Sequence, residues 1–372
     1  MRVRPADQDL VSVRVLNPGD GTEVDDPAWD QLARATAPIG TRAWVRSWLE
    51  VHGSDHDVRL VTASSGGALA AVVPLARRRG TRAAWEMLGV RQLREPTDVL
   101  GDDVISLQAV ADRLAGDRLP LALHRLPADS LFLPALRRAY APRSVISVQP
   151  AAGTPTIGLD DSWREPTSHF NSGRRSDFRS ARRRADQLGR VEFSVLCPGP
   201  GEVDALVDDV VQVEGAGWKA AAGTALSSNP QQLAFFRSFC RRTAAEGVLR
   251  LAFLRIDGRA MAVQLAVEEA GRYALLKIGY DESVKRISPG TLLMLHTVQW
   301  AAERGLRDYD FLGAEEPWTA MWSEDVRPCV DVRVHPASPS GAVAAGLDGL
   351  SWSARALRWS VRRVGEKVRR HG

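Results

Sequence analysis

The order of predicted elements in the second half of the chain restricts its fold more than any other feature. Hydrophobic periodicity and turn signals predict a basic helix, a strand, two helices, three strands, a helix and two further strands. Their predicted bounds are 171–188, 191–196, 201–219, 229–246, 249–256, 260–268, 272–280, 289–304, 307–312 and 329–335. Because a strand hairpin alternates here with long helices, we predict an α/β (α+β) fold, with a mixed twisted sheet flanked by helices.

The sequence of the first half predicts a less distinct α/β unit. Strands over 58–63 and 68–75 flank the turn Ser64-Ser-Gly-Gly, a hairpin signal. No cluster of residues in this half suggests chemistry, and Asp98, Asp102 and Asp103 are interpreted as polar loop ends. A length of 372 residues favours two domains. The predicted boundaries are 1–150, 151–336 with a connection over 151–160, and a linker followed by a basic C-terminal helix over 337–372.

Composition excludes several classes of protein. The three cysteines, Cys197, Cys240 and Cys329, lie far apart and fit neither a disulfide framework nor a zinc cluster, so we expect no metal. The longest apolar run, 68–76, is about half the length of a membrane span. The first residues lack the apolar stretch of a signal peptide. We therefore expect a cytoplasmic protein.

Positive charge is concentrated in two segments. The net charge is +4, with 49 Lys and Arg residues in the chain, yet residues 351–372 alone carry six net positive charges. A second cluster lies in the predicted helix 171–188 and includes Arg182 and Arg183. Such runs attract phosphate, RNA or anionic lipid, although both are equally compatible with solvated helix faces. An anionic membrane surface at the inner membrane face, or tRNA, is therefore an alternative partner.

Short motifs in the second half follow one another in a defined order. They are Glu214-x-x-x-Trp218-Lys219, Lys277-Ile-Gly279-Tyr280-Asp281, Ser288-Pro289-Gly290 and Asp308-Tyr-Asp310-Phe-Leu-Gly313, with Trp322 beyond. Together with the Arg-rich helix, they resemble the bacterial acetyltransferase family called cellulose-biosynthesis-protein-D-like or BioF2-like. That family is related to the tandem-GNAT Fem-type aminoacyl transferases. The resemblance implies tandem GNAT-like domains and acyl transfer, and it covers about 165–325.

One position departs from the family pattern. The family usually has an aromatic–Lys pair after Gly and acidic residues, whereas this chain reads Gly313-Ala-Glu315-Glu316-Pro-Trp318-Thr319. Thr319 stands where the Lys is usual. A charge that binds phosphate or carboxylate in relatives is therefore absent at this position, which leaves the substrate class open.

The predicted acyl-donor site lies at the start of the helix 289–304. Ser288 is a favourable N-cap and Pro289 a favourable first-turn residue. Free amides there bind anions, and Lys285 and Arg286 lie just before them. The donor-binding set is Lys285, Arg286, Ser288, Gly290 and Thr291. The usual Gly-rich GNAT loop is missing, so an ordinary capped helix, or aminoacyl-tRNA as the donor in place of acyl-CoA, stays open.

Three residues are candidates for proton transfer. Asp310 lies near a strand end, where a carboxylate either accepts the proton of the amine or holds a neighbouring loop. Glu214 and Trp218 project from one helix face and are expected to line the acceptor site. Tyr280 is a candidate acid for the leaving group, or a packing residue.

The acceptor-binding set completes the predicted site. Lys277, among apolar neighbours, is costly to bury unpaired, so we expect it to meet a carboxylate or a ligand anion. The set is Trp218, Lys277, Arg182, Arg183 and Trp322, with the Arg helix expected beside a groove between the halves. The predicted activity is N-acyl transfer from acyl-CoA to an amine of a sugar, envelope-polymer precursor or small metabolite. A Fem-like transferase that uses aminoacyl-tRNA, and a non-catalytic scaffold in polysaccharide synthesis, are the alternatives.

Overall fold

The strands of the described chain form one long mixed sheet. The structure is a computed structural model that describes residues 11–17, 27–36, 39–93, 95–101, 103–216 and 226–346. The strands are β1 Ser12–Leu16, β2 His56–Ser65, β3 Ala68–Arg78, β4 Trp85–Met87, β5 Leu121–Pro127, β6 Ser144–Gly158, β7 Val191–Leu196, β8 Leu249–Ile256, β9 Arg259–Glu269, β10 Arg272–Tyr280, β11 Asp308–Asp310 and β12 Val326–Pro336. Their order across the sheet is β1-β2-β3-β4-β5-β12-β6-β11-β10-β9-β8-β7.

Helices cover both faces of this sheet. They are α1 Pro27–Thr36, α2 Arg42–His52, α3 Val90–Leu93, α4 Val104–Gly116, α5 Phe132–Tyr140, α6 Ser172–Asp186, α7 Val203–Gly215, α8 Pro230–Ala245 and α9 Pro289–Glu303. Residues 339–346, within the predicted linker, are also helical. The predicted C-terminal basic helix, like Trp218 and Asp102, lies outside the described residues.

The two halves of the sheet repeat one pairing pattern. Strands β1 to β4 pair antiparallel in succession, and β4 then pairs in parallel with β5. Strands β7 to β10 pair antiparallel in the same way, and β10 pairs in parallel with β11. Strand β12 lies beside β5, strand β6 lies beside β11, and these two strands pair with each other at the centre. Each half therefore supplies the strand that completes the other.

The expected α/β architecture is confirmed, but three local predictions are corrected. Residues 151–158, predicted as a connection, belong to β6, which pairs with both β11 and β12 and shifts its register against β12 between Ala151 and Thr154. The strand predicted over 307–312 is only Asp308–Asp310, because Leu312 has a φ of +53°. The described helix α7 ends at Gly215, earlier than the predicted 219.

Packing of aromatic residues joins the halves. Trp44 of α2 meets Phe235 and Phe239 of α8 at ring-centroid distances of 4.8 Å and 5.4 Å, both edge to face. The same hydrophobic cluster contains buried residues of α1, α7 and β8–β10. Since edge-to-face aromatic pairs and buried area both favour close contact, this cluster fixes the first half against one face of the second. Helices α6 and α9 cover the other face.

Candidate functional site

The parallel strands β10 and β11 separate at the centre of the second half. They pair over Arg272–Asp308, Tyr273–Tyr309 and Ala274–Asp310 and no further. Past that point β10 shifts its register against β9 between Leu275 and Lys277. The chain after β11 turns away at Leu312, whose left-handed backbone ends the strand. An opening between the two strands follows from these two irregularities.

A cavity of about 820 Å³ lies at this opening and is lined by both halves of the molecule. Its walls include His52, Gln92, Glu95 and Arg125 from the first half, and Glu214, Gln231, Gln232, Lys277, Phe311, Trp318 and Thr319 from the second. This volume suits a small-molecule ligand, for which pockets of about 300–1,000 Å³ are usual. The mixture of charged, amide and aromatic groups suits a polar ligand.

Lys277 forms an ion pair across the two halves. Its Nζ lies 3.5 Å from Oε1 of Glu95, and it also lies 4.8 Å from the centre of the Phe236 ring. The expectation that buried Lys277 meets a carboxylate is therefore confirmed. Glu95 is buried, and burial raises the pKa of its carboxyl while the charge of Lys277 opposes that rise.

Asp310 holds the turn that follows β11. The Leu312 amide donates a hydrogen bond to its Oδ1 at 2.9 Å, and Arg327 donates to its Oδ2 at 3.2 Å. Burial raises the pKa of the Asp310 carboxyl, against those two contacts. The side chain is buried and is not part of the cavity wall. These contacts fit the structural alternative, a carboxylate that holds a neighbouring loop, and the proton-transfer role of Asp310 stays a prediction.

Arg125 of the first half holds the same turn from the opposite side. Its guanidinium donates to the carbonyl oxygens of Leu312 at 3.1 Å, Gly313 at 3.0 Å and Gly153 at 3.2 Å. Its own backbone is left-handed, with a φ of +50°. Because five donors on one rigid group reach several carbonyls at once, Arg125 fixes the β11 turn against β6.

Glu214 lines the cavity on α7, close against β10. The Leu226 amide donates to its Oε2 at 2.8 Å. A Cβ at Gly279 would lie only 2.7 Å from the Glu214 Cα, so Gly279 permits this approach of helix and strand. The predicted partner Trp218 lies outside the described residues, and the Glu214–Trp218 face is therefore not described.

Tyr280 and Trp322 are not brought to the cavity. Tyr280 packs at the end of β10 against a cluster that includes Val284 and Ile287. Trp322 is buried in the core beneath α9, with its ring centre 5.4 Å from that of Phe170. Thr319 does line the cavity, and its hydroxyl donates to the carbonyl of Glu316 at 2.8 Å. Position 319 therefore contributes a hydroxyl group to the cavity wall and no positive charge.

Helix α9 begins in an unusual way. Ser288 stands at its N-cap with a left-handed backbone, φ 50° and ψ 54°, and its side chain makes no capping hydrogen bond. The expectation of an ordinary serine cap is therefore wrong, because that geometry turns the hydroxyl away from the first amides. The first turn, with Gly290 and Thr291, begins at an exposed surface, where Lys285 and Arg286 also lie exposed.

The arginine-rich helix α6 lies beside this helix start. Arg184 donates through Nε to the carbonyl oxygen of Arg286 at 2.9 Å. Arg182 pairs with Asp186 at 2.9 Å, and Arg183 donates to Ser180 at 3.2 Å. The predicted position in the groove between the halves is not observed, because the alanines of α6 pack with the α9 face of the sheet. Arg182 and Arg183 therefore lie on the α9 side of the sheet, away from the cavity.

Sequence reasoning missed several cavity residues, among them Glu95 and Arg125, which contact the second half. Glu95 and Arg125 come from the first half, where no chemical cluster was predicted, and that expectation is corrected. Glu95 and Lys277 are 182 positions apart. No local spacing signals such a pair; the only available signal was the need of Lys277 for a buried carboxylate.

The described ranges hold neither a metal cluster nor a membrane span. Among them, no group of three or more His, Cys, Asp and Glu side chains is placed to hold a metal ion. Over the same ranges, none of the helices combines the length and apolarity needed to cross a bilayer.

Comparison with known proteins places the second half in an enzyme class. Residues 172–319 match the family described as "Acetyltransferase (GNAT) domain". No curated protein matches the chain. The match covers β7–β11 and the second-half part of the cavity wall. The protein is an acyltransferase whose residues 172–319 are similar to a GNAT acetyltransferase domain.

Solved structures share the overall fold at low identity. FemX aligns with a TM-score of 0.55 and 11% identity, over 83% of this chain and 96% of that one. L-PGS from Bacillus licheniformis aligns with a TM-score of 0.53 and 11% identity, over 84% of this chain and 94% of that one. A conserved protein of unknown function from Bacteroides thetaiotaomicron aligns with a TM-score of 0.52 and 11% identity, over 83% of this chain and 92% of that one. At this identity the likeness concerns the fold alone.

Proposed function

We propose that this protein is an N-acyltransferase that moves an acyl group from acyl-CoA to an amine held in the cavity between the halves. The observation that carries the proposal is the position of that cavity. It lies where β10 and β11 separate, and the second-half part of its wall belongs to the segment that matches the acetyltransferase family. An acyl group placed between the strands would meet an acceptor directly, without a covalent enzyme intermediate.

The start of α9 supports binding of the donor phosphates. Its first amides are not closed by the Ser288 side chain, and the exposed Lys285 and Arg286 lie in the turn before it. Backbone N–H groups at a helix start, together with the helix dipole, favour anions. The pyrophosphate of coenzyme A would sit there, with Gly290 and Thr291 at its inner side.

The cavity supports binding of a polar acceptor. Its wall contains the amides of Gln92, Gln231 and Gln232 and the aromatic rings of Phe311 and Trp318. Amide groups hydrogen-bond hydroxyl and carbonyl groups, and aromatic rings pack against the faces of sugars and similar molecules. An amine of a sugar, an envelope-polymer precursor or a small metabolite fits this wall.

The residues around the opening hold the reacting groups in place. Asp310 and Arg125 fix the turn at Leu312 and Gly313, so that the end of β11 keeps its position as the acyl group arrives. Glu214, whose Oε2 accepts a hydrogen bond from the Leu226 amide, places a carboxylate in the cavity wall beside the acceptor. Fixed geometry of this kind lowers the entropic part of the barrier.

Aminoacyl-tRNA is a second candidate donor, favoured by α6. Its arginines form an exposed basic face directly beside the start of α9, where Arg184 contacts Arg286. Guanidinium groups bind phosphates in two-point contacts, which suits an RNA backbone. The acetyltransferase family that the sequence motifs resemble is related to Fem-type aminoacyl transferases, and the missing Gly-rich loop agrees with this candidate.

Calorimetric titration with acetyl-CoA and longer acyl-CoAs, followed by release of CoA over a panel of amines, tests the proposal. We expect micromolar binding and amine-dependent release. In Asp310→Asn, binding should persist and turnover should fall, because the turn after β11 loses its charged contact with Arg327. If no thioester binds and turnover occurs only with charged tRNA, the donor is aminoacyl-tRNA and the acyl-CoA proposal fails.

A further inference from the structure

The ion pair between Lys277 and Glu95 has unused hydrogen-bonding capacity. The two side chains are only 15% and 8% exposed, yet their closest atoms are 3.5 Å apart. Charge-assisted N–H···O bonds are usually about 2.7–2.9 Å long. Beyond this contact and the Phe236 ring, neither side chain has another partner among the described residues. An ammonium with three donors and a carboxylate with two oxygens thus meet the cavity with most of that capacity free.

Such an arrangement is unfavourable for stability alone. Removing two charges from water costs more than a loose contact returns, unless further hydrogen bonds satisfy them. The neighbouring charges do not supply those bonds. Arg125 is held by backbone carbonyls, and Glu214 is held by the Leu226 amide. A ligand in the cavity would supply them.

We propose that Lys277 and Glu95 together recognise an acceptor whose ammonium group lies next to an anionic group. The anion, a carboxylate or a phosphate, binds Lys277, and the ammonium binds Glu95. This inference rests on the proposed function, because it assigns the acceptor class of the same cavity. Lysine suits the task better than arginine here: a compact ammonium at the cavity wall can turn from Glu95 to the ligand anion.

Glu95 also accepts the proton that the amine must lose. The acceptor R–NH3⁺ transfers one proton to the Glu95 carboxylate, and the neutral nitrogen attacks the thioester carbonyl. The new N–C bond forms, the C–S bond breaks, and the remaining ammonium-type proton of the intermediate passes to the CoA thiolate. The products are the amide and CoA–SH, and Glu95 returns its proton to solvent. A buried carboxyl with a pKa above the ordinary range suits this role.

The test uses the small number of lysines, since only Lys219, Lys277, Lys285 and Lys367 are present. Protein labelled with ¹³C,¹⁵N-lysine gives one resolvable side-chain signal set per lysine, and Lys277→Arg assigns that of Lys277. Glycine and O-phosphoethanolamine are titrated as probes, with glycinamide and ethanolamine as matched amines that lack the anion. We expect the Lys277 signals to shift with both probes and at least about tenfold more weakly with the matched amines.

Variants separate recognition from stability. In Glu95→Gln, the Lys277 signals should still be visible, but the affinity for glycine and O-phosphoethanolamine should fall at least about tenfold. Glu268→Gln is the matched control, because Glu268 forms a similarly buried pair with Arg250, 10% and 14% exposed, outside the cavity. It should bind the probes like the wild type. Binding of acetyl-CoA by each variant verifies that the domain is folded.

The possible outcomes differ for the two proposals. If acetyl-CoA binds but neither probe moves the Lys277 signals, or if Glu95→Gln and Glu268→Gln behave alike, the recognition role is overturned and the proposed function stands. If the probes bind through Glu95 and Lys277 but no acyl-CoA binds, the acyl-CoA proposal fails and the ligand site stands. Tighter binding of glycine than of O-phosphoethanolamine would indicate a carboxylate acceptor, and the reverse order would indicate a phosphate acceptor.

Discussion

The two halves of the sheet share a pairing pattern but differ at the start of the long helix that lies between the fourth and fifth strands of each, α4 in the first half and α9 in the second. In the first half, Asp103 caps α4 and accepts hydrogen bonds from the Ile105 and Ser106 amides at 3.1 Å and 3.0 Å. In the second half, Ser288 precedes α9 and its side chain caps nothing. One helix start is therefore closed by the chain's own carboxylate, and the other is open to an anion.

The difference shows how duplicated topology can divide its tasks. A closed helix start is satisfied by the protein and gains stability from its cap. A helix start without a side-chain cap leaves its first amide groups available to bind a ligand. The first half nevertheless contributes to the site of the second, because Glu95 and Arg125 line the shared cavity. We infer that one half holds the donor and that the other mainly completes the acceptor wall.

The largest expected effect comes from making α9 resemble α4. Ser288→Asp places a carboxylate at the open helix start, where it repels the donor phosphates. We expect the affinity for acetyl-CoA to fall about tenfold or more, which is about 1.4 kcal/mol or more. Calorimetric titration measures this. Ser288→Asn is the control, since Asn has nearly the same shape, tolerates a left-handed backbone and carries no charge; an equal loss in both variants would contradict the electrostatic explanation.

The next largest effect is expected from a substitution that disrupts the close contact of α7 with β10. Gly279→Ala places a methyl group 2.7 Å from the Glu214 Cα, so helix and strand must move apart. We expect a loss of about 1–3 kcal/mol of unfolding free energy, the usual cost of overpacking, measured from urea denaturation midpoints. Gly116→Ala at the end of α4, with nothing within 4 Å, is the control and should be neutral or slightly stabilising. Equal stability of the two variants would contradict the close approach.

A buried carboxyl gives the first half a pH dependence of known sign. Burial raises the pKa of Asp98 from 3.8 to about 6, although Ser130 and the Val99 amide donate to it. The folded state therefore binds this proton more tightly than the unfolded state, and this carboxyl lowers stability as the pH rises from about 4 through about 6. Asp98→Asn should remove that fall and be more stable than the wild type at pH 7 by on the order of 1–2 kcal/mol.

Unfolding free energies measured between pH 4 and pH 7 test this sign. Asp103→Asn is the matched control, because hydrogen bonds from Ser106 lower the pKa of Asp103. A carboxyl whose pKa is lowered stabilises the fold above its unfolded pKa, and that contribution is lost as the pH falls through the folded pKa. Between pH 4 and pH 7 the stability of Asp103→Asn should therefore follow that of the wild type, whereas Asp98→Asn should lose the fall in stability, and an equal change of slope in both variants would refute the assignment.

The smallest expected effect measures the two caps directly. Asp103→Ala should cost about 1 kcal/mol of unfolding free energy, because two amides of α4 lose their acceptor. Ser288→Ala should cost less, since the Ser288 side chain makes no capping bond. Paired denaturation curves of both variants give the comparison. Equal losses would mean that the start of α9 is closed as well.

Much of the second half could be predicted from the sequence. The strand β7 Val191–Leu196 and the strand β8 Leu249–Ile256 have the predicted bounds, and β9, β10 and α9 agree to within one residue at each end. These elements have strong apolar periodicity, tight turns and clear end signals, all of which act over a few residues. The need of Lys277 for an opposite charge could be predicted for the same reason, since its neighbours are apolar.

The acceptor side of the site could not be predicted in this way. Glu95 lies in a short irregular segment of the first half, and Arg125 lies on a strand of ordinary composition. Nothing near either residue indicates that it faces the second half. Trp322 shows the opposite case, because this motif residue is buried in the core and does not line the cavity.

The sequence by itself determined the succession of helices and strands, the acetyltransferase class of the second half and the buried charge of Lys277. Only the tertiary structure decided that β6 and β12 each complete the other half, that Ser288 leaves α9 uncapped, and that Glu95 meets Lys277. The physical reason is range. Periodicity and turn chemistry act between neighbours in the chain, whereas strand exchange and ion pairing depend on which surfaces the packed halves bring together.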